Sequence, residues 1–144
     1  MTPEEIQAMK PGEHMDRLIA EKVMRMHITI GEYSGAEYWN DEDDFSPYSV
    51  KGFIPSIDIS TAWDVVEKIS SKENWMLYRI GQTDEDGQIK FECAFLEINR
   101  GITGYARAIT APEAICKAAL LAVLGRKKGE RPTAIRIHQK RVWK

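Results

Sequence analysis

The sequence has few of the residues that usually build metal centres or disulfide frameworks. It contains two cysteines, Cys93 and Cys116, and three histidines, His14, His27 and His138. The cysteines have no metal-binding or redox spacing, and the histidines form no HxH or HExxH pattern, so neither a zinc site nor a disulfide scaffold is predicted. We expect both cysteines to be small core side chains, and we expect no metal and no other cofactor.

A long hydrophobic segment is also lacking. The longest apolar run, Ala118–Gly125, is far shorter than the roughly 20 residues that cross a bilayer. The first ten residues are acidic and contain no apolar core of a signal peptide. The sequence therefore predicts a cytoplasmic protein, and its 144 residues suit a single domain with a sizeable core.

Charge is distributed unevenly along the chain. The net charge is -2, but residues 126–144 carry +7 and residues 1–125 carry -9. A basic segment of this kind, with Trp143 among its cations, can bind nucleic acid by releasing counterions. It can equally bind the acidic remainder of the chain or a neighbouring subunit, and the opposite charges favour this second interpretation. Docking of the basic segment within the chain or in a homo-oligomer is therefore expected, and nucleic-acid binding is the less favoured alternative.

Three segments have the apolar periodicity of helices, at residues 13–26, 58–71 and 111–124. Asp58 is the expected N-cap of the second helix, and Thr110 with Glu113 forms an expected capping box for the third. The third segment is apolar nearly all round, which predicts burial on more than one side. The buried stripes of the first two helices are predicted to contain Met15, Leu18, Ile19, Val23, Met26, Ile59, Ala62, Trp63, Val66 and Ile69.

Alternating residues predict a hairpin of Trp75–Gly81 and Gln88–Ile98, followed by a third strand at 104–109. The alternation inverts after Ala94, which indicates a bulge or burial of both faces there. Residues 27–57 are expected to be irregular apart from a short strand at His27–Ile30. The predicted fold is α+β, an antiparallel sheet of three to five strands with helices on both faces (an α/β/α sandwich). Residues 1–12 form a polar arm, 13–125 the domain and 126–144 a basic extension.

Four stretches resemble the phage ABA sandwich domain family. They are Met15–Met24, Ser46–Ser49, Asp58–Lys68 and Ala106–Leu120. The family consists of small phage and prophage proteins, mostly of unassigned function, so the resemblance implies a phage accessory protein expressed in a bacterial host. Two departures stand out: Val50–Ile57 intervenes where the family usually runs from Pro-Tyr-Ser almost directly into the helix, and the basic tail is an addition.

Arginines and aromatic residues on the predicted strands form the main candidate binding site. Trp75 and Arg79 are expected on one face of the first strand, and Tyr105 and Arg107 on one face of the third. If these faces adjoin, the four side chains suit a nucleotide-like ligand. The alternative is that the arginines form ordinary ion pairs with glutamates, among them Glu92.

Two further positions complete the predicted ligand-binding set. Arg100 flanks Gly101–Gly104, which is read as a hairpin turn whose exposed N–H groups could also form an anion nest. Tyr48 lies among the aromatic residues of the 27–57 segment, which either bind a ligand or anchor that segment to the core. The predicted ligand-binding residues are Trp75, Arg79, Arg100, Tyr105, Arg107 and Tyr48.

Three classes of function remain open at this point. The first is a non-enzymatic protein that sequesters a nucleotide or cyclic-nucleotide signal, as some phage proteins of similar size do to bacterial immune signals. The second is an interaction module that binds a host or phage protein through residues 31–57. The third is an enzyme, which is disfavoured because no acid, base and nucleophile converge. The acidic run Asp41–Asp44 could hold a cation, but four consecutive acids usually diverge into solvent.

Overall fold

The structure, a computed structural model, describes residues 1–41 and 44–125. Its helices are α1 (Pro3–Ala8), α2 (Glu13–Leu18), α3 (Ile59–Ser70) and α4 (Ala111–Leu124), and α2 continues into a π-helical turn, Ile19–Val23. Its strands are β1 (Met26–Ile30), β2 (Glu37–Asp41), β3 (Asp44–Ser49), β4 (Trp75–Glu85), β5 (Gln88–Glu97) and β6 (Gly101–Ala108). The centre of the acidic run, residues 42–43, and the basic extension 126–144 lie outside the described residues, so the expectations for them stay predictions.

The strands form two antiparallel sheets, sheet 1 with the order β1-β2-β3 and sheet 2 with the order β4-β5-β6. The predicted α+β class with antiparallel strands is confirmed. Sheet 1 is built from residues that were expected to be mostly irregular. Pro47 was one reason for that expectation, but it lies in β3 at the edge of the sheet, where a missing N–H costs no ladder hydrogen bond.

Helix α4 packs against one face of sheet 2, and the contact is close. A Cβ atom added to Gly104 of β6 would lie 2.1 Å from the carbonyl oxygen of Ala118 on α4. Cys93 on β5 and Cys116 on α4 are fully buried free thiols, as predicted, and burial raises the pKa of Cys93 to about 12. The predicted inversion after Ala94 is confirmed as well, since residues 92–95 are buried on both faces and the register shifts beside Phe95.

The helix starts follow their capping residues. Asp58 caps α3 by accepting the N–H of Thr61 at 2.9 Å, and its hydrogen bonds from Thr61 lower the pKa of Asp58. Thr110 caps α4 by accepting the N–H of Glu113 at 3.3 Å. The Glu113 carboxylate pairs with Lys117 at 2.8 Å. Of the two hydrogen bonds of the predicted capping box, the one accepted by the Thr110 side chain is therefore present, and the Glu113 carboxylate binds Lys117.

The buried stripe of α3 is centred differently from the prediction. Its buried residues are Thr61, Ala62, Val65, Val66 and Ile69. Ile59 and Trp63, which were expected in the stripe, are 51% and 42% exposed. Both lie along the margin of the face that packs on the core, where a helical pattern alone does not decide between burial and exposure.

Residues 1–12, expected to be a polar arm, contain a helix that joins the core. Thr2 and Glu5 form a reciprocal capping box at the start of α1, and Ile6 is fully buried. The ammonium group of the buried Lys117 donates to the carbonyl of Gln7 at 2.8 Å, which fixes α1 against α4. Within residues 1–41 and 44–125, no helix is both long and apolar enough to cross a membrane.

Candidate functional site

A bulge in β4 decides which of the predicted site residues can meet. Leu77 pairs with Phe95 and Arg79 pairs with Ala94, so Tyr78 is an extra residue in the strand. Because a single extra residue reverses the alternation, Leu77 faces the helices and Arg79 faces the opposite side of sheet 2, which we call the outer face. The expectation that Arg79 shares a face with the residues before the bulge is therefore wrong.

Trp75 lies on the helix side of the same strand. It packs against the core, and the ammonium group of Lys72 lies 5.4 Å from its ring centroid. Desolvation lowers the pKa of Lys72. Trp75 therefore does not join Arg79 in one site.

Arg79, Glu92, Tyr105 and Arg107 do come together on the outer face, and we call them the Glu92 cluster. The Glu92 side chain is only 2% exposed, and its Oε1 forms an ion pair with Arg79 Nε at 2.5 Å. The Tyr105 hydroxyl donates to Oε2 at 2.7 Å and accepts from Arg107 Nε at 2.8 Å. Burial and the hydrogen bond to Glu92 raise the pKa of Tyr105. The arginines thus form the internal ion pairs that the sequence left open as the alternative.

The remaining two predicted residues lie apart from this cluster. Arg100 is paired with Glu97 at 3.5 Å, and the glycine-rich segment beside it begins strand β6 instead of forming a loop. Tyr48 donates its hydroxyl to Asp64 at 3.0 Å and packs edge-on against Phe53 with a centroid distance of 5.2 Å. These contacts anchor the aromatic segment to the core.

A cavity of about 810 Å³ lies between the start of α2, sheet 1 and the segment that follows β3. It is lined by Gly12, Glu13, Asp16, Arg17, Gly35, Ala36, Glu37, Trp39, Ser49, Val50, Lys51, Phe53, Ile54 and Ile57. None of the six predicted binding residues is among them. Tyr48 contacts the lining, because its ring packs edge-on against Phe53.

Aromatic side chains and cations both line the cavity. Trp39 and Phe53 are 3% and 1% exposed and belong to the core. The guanidinium of Arg17 lies 5.7 Å from the ring centroid of Trp39, in cation–π contact. Among the side chains that the structure describes, no carboxylate lies within ion-pair distance of Arg17 or Lys51.

A hydrogen-bonded bridge closes one side of the cavity. Asp16, 7% exposed on α2, accepts the backbone N–H of Ser56 at 2.8 Å. The Ser56 hydroxyl in turn accepts the N–H of Gly12 at 2.9 Å. Burial raises the pKa of Asp16. The bridge ties the segment after β3 to the beginning of α2 and so holds two walls of the cavity together.

The sequence contained two indications of this cavity that were not combined. Trp39 is an aromatic residue in a segment of otherwise polar and irregular composition, and Val50–Ile57 is the stretch that departs from the family pattern. Residues of that stretch supply one wall, opposite Arg17 and Trp39. Periodicity within single elements could not place them together, because they come from three different parts of the chain. Among residues 1–41 and 44–125, no group of three or more His, Cys, Asp or Glu side chains is placed to hold a metal ion.

Comparison with known proteins places this fold among phage proteins. The sequence model described as the Phage ABA sandwich domain matches residues 17–120. The crystal structure of a phage protein from Bacillus cereus ATCC 14579 is similar, with 28% identity, a TM-score of 0.51 and coverage of 81% of this chain and 94% of that one. No curated protein matches the sequence. The match covers well over half of the chain, and the protein therefore belongs to the Phage ABA sandwich domain family.

Proposed function

We propose that this phage protein is a non-enzymatic binder of a small anionic ligand of nucleotide size, which it holds in the cavity beside α2. The observation that carries the proposal is a cavity of about 810 Å³ that contains both an aromatic wall and cations without ion-pair partners among the described residues. Sites for small ligands typically occupy about 300–1,000 Å³ and combine apolar walls with a few polar groups.

The lining side chains match the two parts of a nucleotide. Ile54 and the exposed Ile57 offer apolar surface to a planar base, and the almost fully buried rings of Trp39 and Phe53 support that wall. Arg17 can hold a phosphate through two parallel hydrogen bonds, and Lys51 adds a second positive charge. A nucleotide or cyclic nucleotide satisfies both kinds of contact at once.

The Glu92 cluster is the less suitable place for an anion. Arg79 and Arg107 both face the buried Glu92 carboxylate, so a phosphate would have to compete with an internal negative charge. Glu13, Asp16 and Glu37 also line the cavity, but among the described side chains none of them lies within ion-pair distance of Arg17 or Lys51. The cavity is therefore the better candidate for anion binding than the strands of sheet 2.

The phage context supports a role in sequestration. The family and its solved neighbour are phage proteins, and a small binder made in the host cytoplasm can lower the free concentration of a signalling nucleotide without converting it. No catalytic step is part of this proposal.

Equilibrium dialysis of the full chain against a panel of nucleotides tests the proposal. The panel contains linear mononucleotides, cyclic mononucleotides, cyclic dinucleotides and cyclic ADP-ribose. We expect saturable binding of at least one member, with the ligand recovered intact after denaturation. Arg17→Ala and Lys51→Ala should each weaken binding about tenfold, equivalent to ~1.4 kcal/mol. Lys22→Ala is the matched control, because Lys22 is an exposed cation of the same helical segment outside the cavity.

Other outcomes assign the function elsewhere. If Arg107→Ala weakens binding and Arg17→Ala does not, the ligand binds at the Glu92 cluster and the cavity proposal is wrong. A ligand that is returned chemically altered would make the protein an enzyme. If no member of the panel binds and a stable protein partner is recovered from host cells, the interaction module becomes the better hypothesis.

A further inference from the structure

The outer strands of the two sheets differ in how well they are protected against pairing. In the part of the chain that the structure describes, these strands are β1, β3, β4 and β6. Proteins usually protect sheet edges with charged residues, prolines or covering segments. β3 contains Pro47, β4 contains Arg79, and the β6 edge is approached by the Gln7 amide, which donates to the Tyr105 carbonyl at 3.5 Å.

Within residues 1–41 and 44–125, β1 has none of these protections. Its sequence, Met-His-Ile-Thr-Ile, contains no proline, lysine, arginine or acidic residue. His27, Thr29 and Ile30 are exposed, and Ile30 is 70% exposed although it is a large apolar side chain. An uncharged, β-branched strand of this kind at an open edge favours the addition of another strand.

The register with β2 shows which backbone groups are available. Ile28 lies opposite Trp39, and Gly31 donates its N–H to the carbonyl of Ala36 at 2.7 Å just beyond the end of β1. Hydrogen-bonded pairs alternate along antiparallel strands, so the N–H and C=O groups of Ile28 and Ile30 point away from β2. These groups form the free edge of sheet 1 among the described residues.

We propose that a second copy of this chain pairs with this edge, β1 against β1 in antiparallel orientation, about a two-fold axis at Ile28. In this register Ile28 faces Ile28 of the partner subunit and Met26 faces Ile30 of the partner subunit. All five residues of each strand then lie opposite a residue of the other strand. The outward N–H and C=O groups of one copy face the outward C=O and N–H groups of the other. Two sheets of three strands become one continuous antiparallel sheet.

The second copy is the occupant that this edge fits best, because an antiparallel pair of identical strands matches itself in length, polarity and side-chain alternation. Met26, Ile28 and Ile30 lie on one face of β1, so the pairing extends their apolar row across the axis. His27 and Thr29 lie on the other face and remain polar. The proposal rests on the sheet edge and is independent of the ligand in the cavity.

Sedimentation of the full-length protein over a range of concentrations gives the first test. We expect a dimer that Ile30→Pro and Ile30→Lys convert to a monomer, because proline removes an outward N–H and lysine introduces facing charges. Neither change removes a hydrogen bond to β2, and an unchanged circular dichroism spectrum would confirm folding. Ile109→Lys is the matched control, since Ile109 is 63% exposed outside the strands and should leave the dimer intact.

Disulfide trapping tests the register. In the proposed pairing His27 lies opposite Thr29 of the partner subunit in a non-hydrogen-bonded pair, with Cα atoms about 4.5 Å apart, which suits a disulfide. Under mild oxidation the double variant His27→Cys/Thr29→Cys should form a covalent dimer, whereas either single variant and the wild type should not. A monomeric wild type, a dimer that survives Ile30→Pro, or a double variant that does not cross-link would each overturn the proposal.

Discussion

The two sheets of this protein differ in packing, because sheet 2 is in close contact with a helix and sheet 1 borders a cavity. Sheet 2 and α4 approach to backbone contact at Gly104, and the buried Glu92 carboxylate is met by Arg79 and by the Tyr105 hydroxyl. Sheet 1 and the segment after β3 instead enclose a cavity in which Arg17 contacts an aromatic ring and has no described carboxylate within ion-pair distance. The arginines of the first region are paired with a buried carboxylate, whereas Arg17 in the second has no ion-pair partner among the described residues.

The tight packing of sheet 2 predicts the largest effect. In Gly104→Ala the new Cβ would lie 2.1 Å from the carbonyl oxygen of Ala118, and backbone atoms cannot turn away as a flexible side chain would. We expect the free energy of unfolding to fall by about 3 kcal/mol or more, measured by urea denaturation. In Gly81→Ala the added Cβ has no atom within 4 Å, so this control should remain within about 0.5 kcal/mol of the wild type. Equal effects of the two changes would show that α4 does not lie this close to β6.

Removing the charge at the centre of the Glu92 cluster should have a somewhat smaller effect. Glu92→Gln keeps the shape but leaves Arg79 and Arg107 facing a neutral group, and breaking a buried ion pair typically costs about 3 kcal/mol. Because both arginines are partly exposed and solvated, we expect a loss of about 2 kcal/mol in urea denaturation. Glu97→Gln, whose partner Arg100 is exposed, should cost less than about 1 kcal/mol. A Glu92→Gln variant as stable as the wild type would mean that the ion pairs of Glu92 with the two arginines do not stabilise the fold.

The smallest predicted effect concerns the bridge beside the cavity, and it depends on pH. The pKa of Asp16 is raised in the folded protein because the carboxylate is buried. Its stabilising contribution is therefore complete below the unfolded pKa, near 3.8, and is lost as the pH rises through the higher folded pKa. Relative to wild type, Asp16→Asn should be more stable at pH 7 than at pH 4, since asparagine can still accept the Ser56 N–H without carrying a charge.

Denaturation curves at the two pH values measure this difference. Asp58→Asn gives the opposite comparison, because hydrogen bonds from Thr61 lower the pKa of Asp58. The advantage of wild type over Asp58→Asn should be present at pH 7 and decrease as the pH falls below about 4. The same pH trend in both variants would contradict the assigned environments of the two carboxyl groups.

Much of the fold could be predicted because its signals are local. Asp58 and Thr110 begin their helices as the sequence indicates, since an N-cap needs only a side-chain oxygen within three residues of the N–H that it binds. The strands of sheet 2 were predicted from period-two alternation. In sheet 1 the short strand at His27–Ile30 was predicted and corresponds to β1. Strands β2 and β3 were missed because they are short and Pro47 disrupts the pattern, although proline is acceptable at an edge that only the assembled sheet defines.

The candidate site was harder to predict because it depends on distances between remote segments. The sequence placed Arg79, Tyr105 and Arg107 together only on the condition that the two strand faces adjoin, and the bulge at Tyr78 puts Trp75 on the other face. A bulge adds one residue without any distinctive sequence signature, and it reverses every position that follows it. The cavity residues were missed because no pattern within a single element relates them to one another.

The sequence by itself determined the α+β class, the helix starts, the buried cysteines and the family, because capping, apolar periodicity and alternation act over a few residues. Only the tertiary structure decided which charged groups of the described residues form ion pairs and which line the cavity. Glu92 comes from a neighbouring strand to meet Arg79, whereas the folding of three distant segments around Trp39 leaves Arg17 and Lys51 at an open cavity. The strength of an ion pair depends on the distance between the two charges in space, and the number of residues between them in the sequence does not determine that distance.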